Sequence, residues 1–362
     1  IIKGLLFLVS GPTASGSRNS FLNFLFASLV YLINLFLLLL KKLYLLDLTI
    51  IYLNPFLLLV ISSIIGIWMF KKRTELFGSV LPFTPAGAFV YLSLAIISFS
   101  GIGYAVLNGN IGMIEAYEWI IVYGHMCLGF LFLLYVLVNF TFLFEKKISV
   151  YEIVYRPARL TFIIVPAVAI TMTSFFFLYQ QKYPYHLAMA GYYCYAGDVM
   201  VQEEEYPLAF QYYQNAVLYD FPNHRANYSI AALAATLKNK ETAKGYFENA
   251  LYRNPTVESY IGLSNTYIET GELFNALFQL QEGLSKFPND GRLYNNLGVM
   301  FHKTNLPDSA IHYFLKSKQV IDSKEVPFSN VLYLMAKNNL FEDADSLMTK
   351  DCLLYTSPSP RD

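Results

Sequence analysis

Hydrophobic positions follow different patterns in the two halves of this chain. Up to about residue 181, apolar residues form long runs, and a helix needs about 20 such residues to cross a bilayer. Beyond that point they recur in short groups at helical spacing, separated by polar residues and turns. The first pattern predicts a transmembrane domain at 1–181, with five spans at residues 21–40, 48–70, 83–107, 119–144 and 160–180.

The second of these spans is interrupted by Asn54 and Pro55. Proline has no backbone N–H to donate, and its ring clashes with the preceding helical turn. We therefore expect the helix to begin at Pro55, with residues 47–54 forming a loop or a re-entrant segment.

The distribution of Lys and Arg predicts the orientation of the spans, because basic loops tend to stay in the cytoplasm. A basic cluster follows the second span at 71–73, and four basic residues follow the fourth between 146 and 159. The segment 108–118 has none, so it is expected outside, and the chain should also leave the last span outside. Lys41 and Lys42 are exceptions whose side chains can reach the interface from the end of the first span.

A repeat of about 34 residues organises the second half of the chain. Small residues recur in steps of 34, 33, 34 and 34, and a large apolar residue follows each of them four positions later. A second small residue follows seven positions after the first in four of the five units. The small residues that begin this series are Ala209, Ala243, Ala276, Ala310 and Ala344.

This pattern resembles the tetratricopeptide repeat (TPR) family, whose members repeat a helix–turn–helix unit of this length. The resemblance implies an all-α chain, in which a multi-spanning helix bundle is followed by an α-solenoid of antiparallel helix hairpins. Two positions depart from the family pattern, since Pro222 is one place late and Asn227 stands where an aromatic residue is usual. We place the TPR domain at 186–351, with units near 190–223, 224–256, 257–290, 291–324 and 325–351.

In the TPR family the first helices of the hairpins line a concave groove, which is the usual surface for a protein or peptide partner. Asn265 and Asn296 match two asparagines with which some TPR domains hold a C-terminal carboxylate. Ile261 replaces the lysine expected before them, and Val326 and Asn330 replace the basic pair of the next unit. The resemblance therefore favours a generic groove over a full carboxylate clamp. Carried over by position, the predicted groove residues are Tyr228, Thr236, Ile261, Asn265, Arg292, Asn295, Asn296, Val299, His302 and Lys303.

Three ionisable residues near the start of the fourth span form a second candidate site. Glu115, Glu118 and His125 share one helical face at positions i, i+3 and i+10. Such a face inside a membrane can carry protons or hold a metal. In the other interpretation the glutamates are hydrated at the interface and His125 bonds a neighbouring helix. The sequence favours this second interpretation because no metal or phosphate motif accompanies the three residues, and we assign no metal and no cofactor.

Composition and charge indicate which classes of partner the chain can have. Only 14% of the residues are charged, against about 25% in soluble domains, which points to a lipid bilayer. Residues 1–181 carry eleven Lys and Arg against six Asp and Glu, whereas residues 182–362 carry fifteen against twenty, so the net charges are +5 and −5. The acidic half argues against nucleic acid as a partner. Cys127 and Cys194 have no disulfide or metal spacing.

Both ends of the chain look artificial. It begins at Ile1 without a methionine, so we expect an upstream part to be missing. Residues 352–362 are similar to the translation of a sequencing adapter, and we exclude them from fold reasoning. The natural sequence is expected to break off near Asp351.

Two classes of function remain open. The first is a membrane-anchored TPR scaffold for protein–protein interaction, which requires no catalytic residues, and the visible sequence contains no catalytic motif. The second is the C-terminal fragment of a multispanning glycosyltransferase or surface-polysaccharide ligase with a TPR tail, whose catalytic acids are expected upstream. We favour the scaffold, located in a bacterial inner membrane with its TPR domain on the periplasmic or extracytoplasmic side. The spans also loosely resemble inner-membrane components of bacterial surface-protein sorting systems, although no motif supports that assignment.

Overall fold

The structure is a computed structural model, and every regular element that it describes is helical. The prediction of an all-α chain is therefore confirmed. The chain divides into two compact units, Ile1–Tyr192 and Tyr193–Asp362, and each is described by itself. The described residues are 1–2, 4–6, 18–43, 45, 54–77, 82–145, 164–179, 183–320 and 325–355.

The first unit is built from long apolar helices. A π-helical turn at Phe83–Gly87 leads into the third of them. The sixth helix continues past the boundary between the units. The helices are α1 (Arg18–Lys42), α2 (Pro55–Phe77), α3 (Ala88–Leu107), α4 (Ile111–Glu145), α5 (Ile164–Tyr179) and α6 (Tyr183–Gln202).

The start of α2 agrees with the effect expected of proline. Pro55 is the first residue of the helix, and Asn54 Oδ1 accepts a hydrogen bond of 2.8 Å from the backbone N–H of Phe56. This cap satisfies one of the amides that a helix start leaves without an internal partner. The expected loop at 47–53 lies outside the described residues, as do the ends of the fifth span at 160–163 and 180.

Apolar side chains in the first unit lie on both its inside and its outside. Phe24 and Tyr135 are buried in one core cluster and Trp119 in another. Phe26 and Phe89 are 71% and 73% exposed. Exposed large apolar side chains in such number are unusual for a protein surrounded by water.

Among the described residues, length and composition identify four helices that can cross a membrane. They are Leu22–Lys42, Pro55–Lys72, Phe83–Leu107 and Ile111–Phe140, and a fifth is added only if α5 and α6 together form one bent span. The predicted span 119–144 lies within α4, which begins eight residues earlier.

The second unit consists of short helices joined by tight turns. Consecutive helices contact one another, which gives a stack of antiparallel hairpins of the solenoid type. Helices α6 and α7 form the first hairpin, and the later helices follow in pairs. They are α7 (Tyr206–Tyr219), α8 (His224–Thr236), α9 (Lys240–Leu251), α10 (Val257–Thr270), α11 (Leu273–Lys286), α12 (Gly291–Lys303), α13 (Pro307–Val320), α14 (Glu325–Lys337) and α15 (Phe341–Tyr355).

Small residues allow the two helices of a hairpin to approach closely. A Cβ on Gly298 of α12 would lie 2.5 Å from the ring of Phe314 on α13, and one on Gly197 would lie equally close to Tyr213. Both rings are almost fully buried. Each aromatic ring therefore fills the space that the missing side chain of a glycine leaves.

The departure from the family pattern at Asn227 has a structural explanation. Asn227 is buried, and its Nδ2 donates hydrogen bonds to the carbonyls of Phe221 (2.8 Å) and Asn223 (2.9 Å). The amide thus ties the start of α8 to the turn before it.

The C-terminal tail is described only in part. Helix α15 continues through residues 352–355, and 356–362 lie outside the described residues. Cys127 and Cys194 are both buried and not in a disulfide.

Candidate partner-binding surface

Successive first helices contact one another along one face of the second unit. Arg292 Nη1 of α12 lies 2.5 Å from Glu258 Oε1 of α10, and Asn330 Nδ2 of α14 donates a 3.0 Å hydrogen bond to Asn295 Oδ1 of α12. These bonds join side chains about one repeat apart, so the same face of each helix continues onto the next. The groove face is defined here as the ten predicted residues Tyr228, Thr236, Ile261, Asn265, Arg292, Asn295, Asn296, Val299, His302 and Lys303, together with Asn330, Tyr333 and Lys337 of α14.

The part of the groove face on α8 is mainly apolar. The ring of Tyr228 stacks on His224 with centroids 6.0 Å apart and meets Phe247 edge-on at 5.7 Å. Burial raises the pKa of Tyr228, so its phenol stays protonated at neutral pH. Thr236 is exposed, and its hydroxyl donates to the carbonyl of Ala232 at 2.9 Å. A partner would meet a half-buried ring and a methyl group here.

The part on α10 combines two half-buried aliphatic side chains with one exposed amide. Ile261 and Ile268 pack partly against the main core cluster of the unit, and Asn265 between them is exposed. Ile261 occupies the position where a carboxylate clamp would have lysine. This part of the groove face can therefore bury an apolar side chain and offer hydrogen bonds to a peptide backbone.

Arg292 is held in place by two carboxylates. Its guanidinium donates to Asp290 at 2.7 Å and to Glu258 at 2.5 Å, and its backbone N–H donates to Asp290 Oδ1 at 2.9 Å. The hydrogen bond to Asp290 raises the pKa of Arg292 and lowers that of Asp290. Because its charge is already compensated, Arg292 connects α10 to α12 more than it offers a free cation.

Three asparagines lie along α12 and α14. Asn295 and Asn330 bond each other, while Asn296 Nδ2 donates to the carbonyl of Arg292 at 2.8 Å. Each amide still has further donor or acceptor capacity. The asparagines therefore add polar contacts in the middle of the groove face.

The C-terminal end of the groove face gathers basic and aromatic side chains. His302 and Tyr333 meet edge-on with ring centroids 6.0 Å apart, and Lys337 Nζ lies 5.9 Å from the Tyr333 ring centroid. Val299 is half-buried one turn before Lys303. Burial lowers the pKa of His302, and the charges of Lys337 and Lys303 lower it further. At neutral pH this end carries two ammonium groups beside a neutral imidazole.

Sequence reasoning missed the contribution of α14. Tyr333 and Lys337 lie one period of 34 residues after Val299 and Lys303, and Asn330 lies one period after Asn296. Carrying the groove positions forward by one more repeat finds all three residues. The assignment of the ten predicted residues to partner binding stays a prediction.

The second candidate site divides between two cavities of the first unit. Glu118 Oε2 lies 2.5 Å from Lys42 Nζ, which also lies 5.1 Å from the ring centroid of Trp119. Tyr183 Oη donates to Glu115 Oε2 at 3.4 Å. The two glutamates line one cavity of about 270 Å³ together with Lys41, Lys42, Asn54, Trp119 and Tyr183.

His125 lies apart from these glutamates. Its Nδ1 is 2.8 Å from Tyr31 Oη, and it lines a mostly apolar cavity of about 520 Å³. Within the described residues, the structure contains no group of three or more His, Cys, Asp and Glu side chains arranged to hold a metal ion. The predicted face therefore comprises an interhelical ion pair and a separate histidine–tyrosine hydrogen bond.

Comparison with known proteins gave one family match and several similar structures. Residues 224–256 match the tetratricopeptide repeat family, and no curated protein matches the chain. MamA 41-end from Desulfovibrio magneticus RS-1 is 15% identical, with 46% of this chain and 95% of that chain covered and a TM-score of 0.41. YrrB, described as a TPR protein with an unusual peptide-binding site, is 19% identical, with 44% and 82% covered and a TM-score of 0.36. A tetratricopeptide repeat protein from Parabacteroides merdae is 14% identical, with 59% and 89% covered and a TM-score of 0.36.

The matched residues coincide with one hairpin of the second unit. Residues 224–256 contain α8 and α9, and this range is the second of the five units that the sequence predicts. The TPR resemblance read from the spacing of small and aromatic residues is therefore confirmed, and the second unit of this chain contains a tetratricopeptide repeat at residues 224–256.

Proposed function

We propose that this protein is a membrane-anchored scaffold that holds an extended segment of a partner protein against its groove face. A TPR-type scaffold for protein–protein interaction follows from the family. The observation that carries the finer proposal is the continuity of the groove face, in which half-buried apolar side chains alternate with amides over successive hairpins. Ile261 and Val299 provide the apolar contacts, and Asn265 and Asn295 provide the amides.

Membrane anchoring is supported by the exposed apolar surface of the first unit. Removing such a surface from water stabilises an insertion by roughly 25 cal/mol per Å² of apolar area. Phe26, Ile64, Phe89 and Ile96 are each more than 60% exposed and lie on three different helices. A bilayer would cover all of these side chains at once, whereas a single protein partner would have to wrap around the unit.

The proposed orientation places the groove face outside the cytoplasm. Lys41 and Lys42 are the basic residues that disagree with this orientation, and Lys42 forms an ion pair with Glu118 at 2.5 Å. Both lysines lie in the last turn of α1, from which long basic side chains can extend to the membrane interface. The basic residues at 71–73 and between 146 and 159 then decide the orientation, which corresponds to a bacterial inner membrane with a periplasmic repeat unit.

Selection of displayed peptides on the full chain in detergent tests the binding proposal. Asn265→Trp places a bulky neutral side chain on the exposed part of the groove face. Gln281→Trp makes a matched change at an exposed position of α11, a second helix. We expect peptides selected on the unchanged protein to lose affinity for Asn265→Trp by at least tenfold and to keep it for Gln281→Trp. Peptides that bind both variants equally would refute the groove face as the binding surface.

A reporter fusion after Asp351 tests the orientation. Alkaline phosphatase fused there should be active, because it folds only outside the cytoplasm, and green fluorescent protein should not fluoresce when exported in unfolded form. Fusions at Gly78, which follows the basic cluster at 71–73, should give the opposite result. Fluorescence only at the C-terminal site would reverse the proposed orientation.

A further inference from the structure

Six strongly basic side chains in the described part of the second unit are compensated by acidic neighbours. Arg225 bonds Asp198, Lys244 bonds Glu272 and Lys286 bonds Glu282, at 2.7, 2.8 and 3.3 Å. Lys240, Arg253 and Arg292 also have carboxylate partners. This pattern is expected in a half of the chain that carries twenty Asp and Glu against fifteen Lys and Arg.

Lys303 and Lys337 differ from these paired cations. Neither forms an ion pair with a carboxylate in the part of the chain that the structure describes. They occupy equivalent positions at the ends of two adjacent first helices, 34 residues apart. Both charges act on His302 of α12, whose ring meets that of Tyr333 on α14 edge-on. The groove face therefore ends in two ammonium groups on adjacent first helices, neither of which has a carboxylate partner among the described residues.

The surroundings of these lysines fit an extended acidic peptide. Val299 provides an apolar contact one turn before Lys303, and Asn295 and Asn330 provide amide groups that can bond a peptide backbone. Lys337 also lies beside the face of the Tyr333 ring, which limits the positions its ammonium group can take. Cations held on such a frame attract carboxylates selectively, because complementary charge favours the right partner and repels like charges.

We propose that the partner segment is acidic and places Asp or Glu carboxylates between Lys303 and Lys337, with an apolar side chain against Val299. This inference rests on the proposed function, because it names the chemistry of the segment that the groove face binds. The net charge of the surrounding half is −5, so an acidic segment is repelled elsewhere on the unit and directed to this end. Steering of this kind raises association rates and weakens as salt is added.

Peptides selected on the full chain provide the direct test. Those that depend on the groove face should be enriched in Asp and Glu beside an apolar residue, and replacing their carboxylates by amides should weaken binding. The double variant Lys303→Gln with Lys337→Gln should lower affinity roughly fivefold to tenfold, because two ion pairs that are exposed to water each contribute modestly. Lys238→Gln with Lys316→Gln removes the same charge outside the groove face and should change affinity less than twofold.

The possible outcomes separate this inference from the proposed function. Groove-dependent peptides without acidic enrichment, or with unchanged affinity for the Lys303 and Lys337 variant, would overturn the inference and leave the scaffold proposal standing. Failure to select any groove-dependent peptide would overturn both. A single-stranded oligonucleotide is the competing polyanion, and tighter lysine-dependent binding of it than of the acidic peptide would also refute the inference.

Discussion

The two units differ in where their large apolar side chains lie. In the second unit Phe314 lies between two helices of one hairpin and is only 2% exposed, whereas in the first unit Phe89 lies on the outside and is 73% exposed. Both residues belong to regular helices, so the difference lies in their environment and not in their secondary structure. A helical repeat buries its apolar face against the next repeat, while the first unit, on our proposal, buries its outer face in lipid.

Separating the units should produce the largest effect. We expect residues 186–351 expressed alone to remain in aqueous solution and to give an α-helical circular dichroism spectrum, because the hairpins bury their apolar faces on one another. Residues 1–185 should require detergent. A predominantly β spectrum for the first fragment would contradict the repeat assignment, and a first unit that stays soluble without detergent would contradict the membrane proposal.

Truncating the two phenylalanines should give the next largest difference. Phe314→Ala leaves a cavity beside Gly298 and should destabilise the repeat unit by about 3–5 kcal/mol. Phe89→Ala removes a ring with few protein contacts and should change the thermal stability of the full chain in detergent very little. Thermal unfolding followed by circular dichroism measures both effects, and equal losses would mean that Phe89 has a packing partner.

The ion pair between Lys42 and Glu118 offers a sharper test within the first unit. Glu118→Gln leaves the ammonium of Lys42, whose side chain is 16% exposed, without its counter-charge. We expect a loss of roughly 2 kcal/mol, as for a hydrogen bond to a charged group. Adding Lys42→Met should recover part of this loss, and a double-mutant cycle of thermal stability measures the coupling. Purely additive losses would show that the pair contributes no interaction energy.

The smallest effect is expected at Arg292, because its salt bridges are largely exposed. Arg292→Gln should cost about 0.2–1 kcal/mol at neutral pH. Asp290 has a pKa lowered below 3.8 by its hydrogen bond to Arg292. Its stabilising contribution is therefore present above pH 3.8 and is lost as the pH falls through the lowered pKa. Urea unfolding of both proteins should show a difference at pH 7 that disappears at strongly acidic pH.

Much of the helical framework could be predicted from local patterns. Pro55 begins α2 as expected of a residue without a backbone donor, and α3 ends at Leu107 as the apolar run does. The start of α4 could not be found in this way. The helix begins at Ile111, but the apolar run begins only at Trp119, because the charged residues Glu115 and Glu118 precede it. Hydropathy reports which residues suit lipid, whereas a helix can continue beyond the bilayer.

The sequence predicted which residues belong to the candidate site, but not which of its charged side chains form ion pairs. The repeat spacing placed both Arg292 and Lys303 in the groove, and it could not distinguish them, because both are basic and lie on the same first helix. The structure separates them, since Asp290 and Glu258 hold Arg292 whereas Lys303 has no such partner within the described residues. That distinction arises because α10 lies beside α12. The spacing of residues along a single helix carries no information about such a neighbour.

Local patterns along the chain were enough to establish its helical character, the long apolar runs and the phase of the repeat. These properties depend on side chains within a few turns of one another, so periodicity along the chain is enough to reveal them. The packing of the helices, by contrast, brings Lys42 to Glu118 and leaves Lys303 and Lys337, on adjacent helices, without an acidic partner in the part of the chain that the structure describes. Charge compensation is set by distances of a few ångströms between residues far apart in sequence, and packing alone fixes those distances.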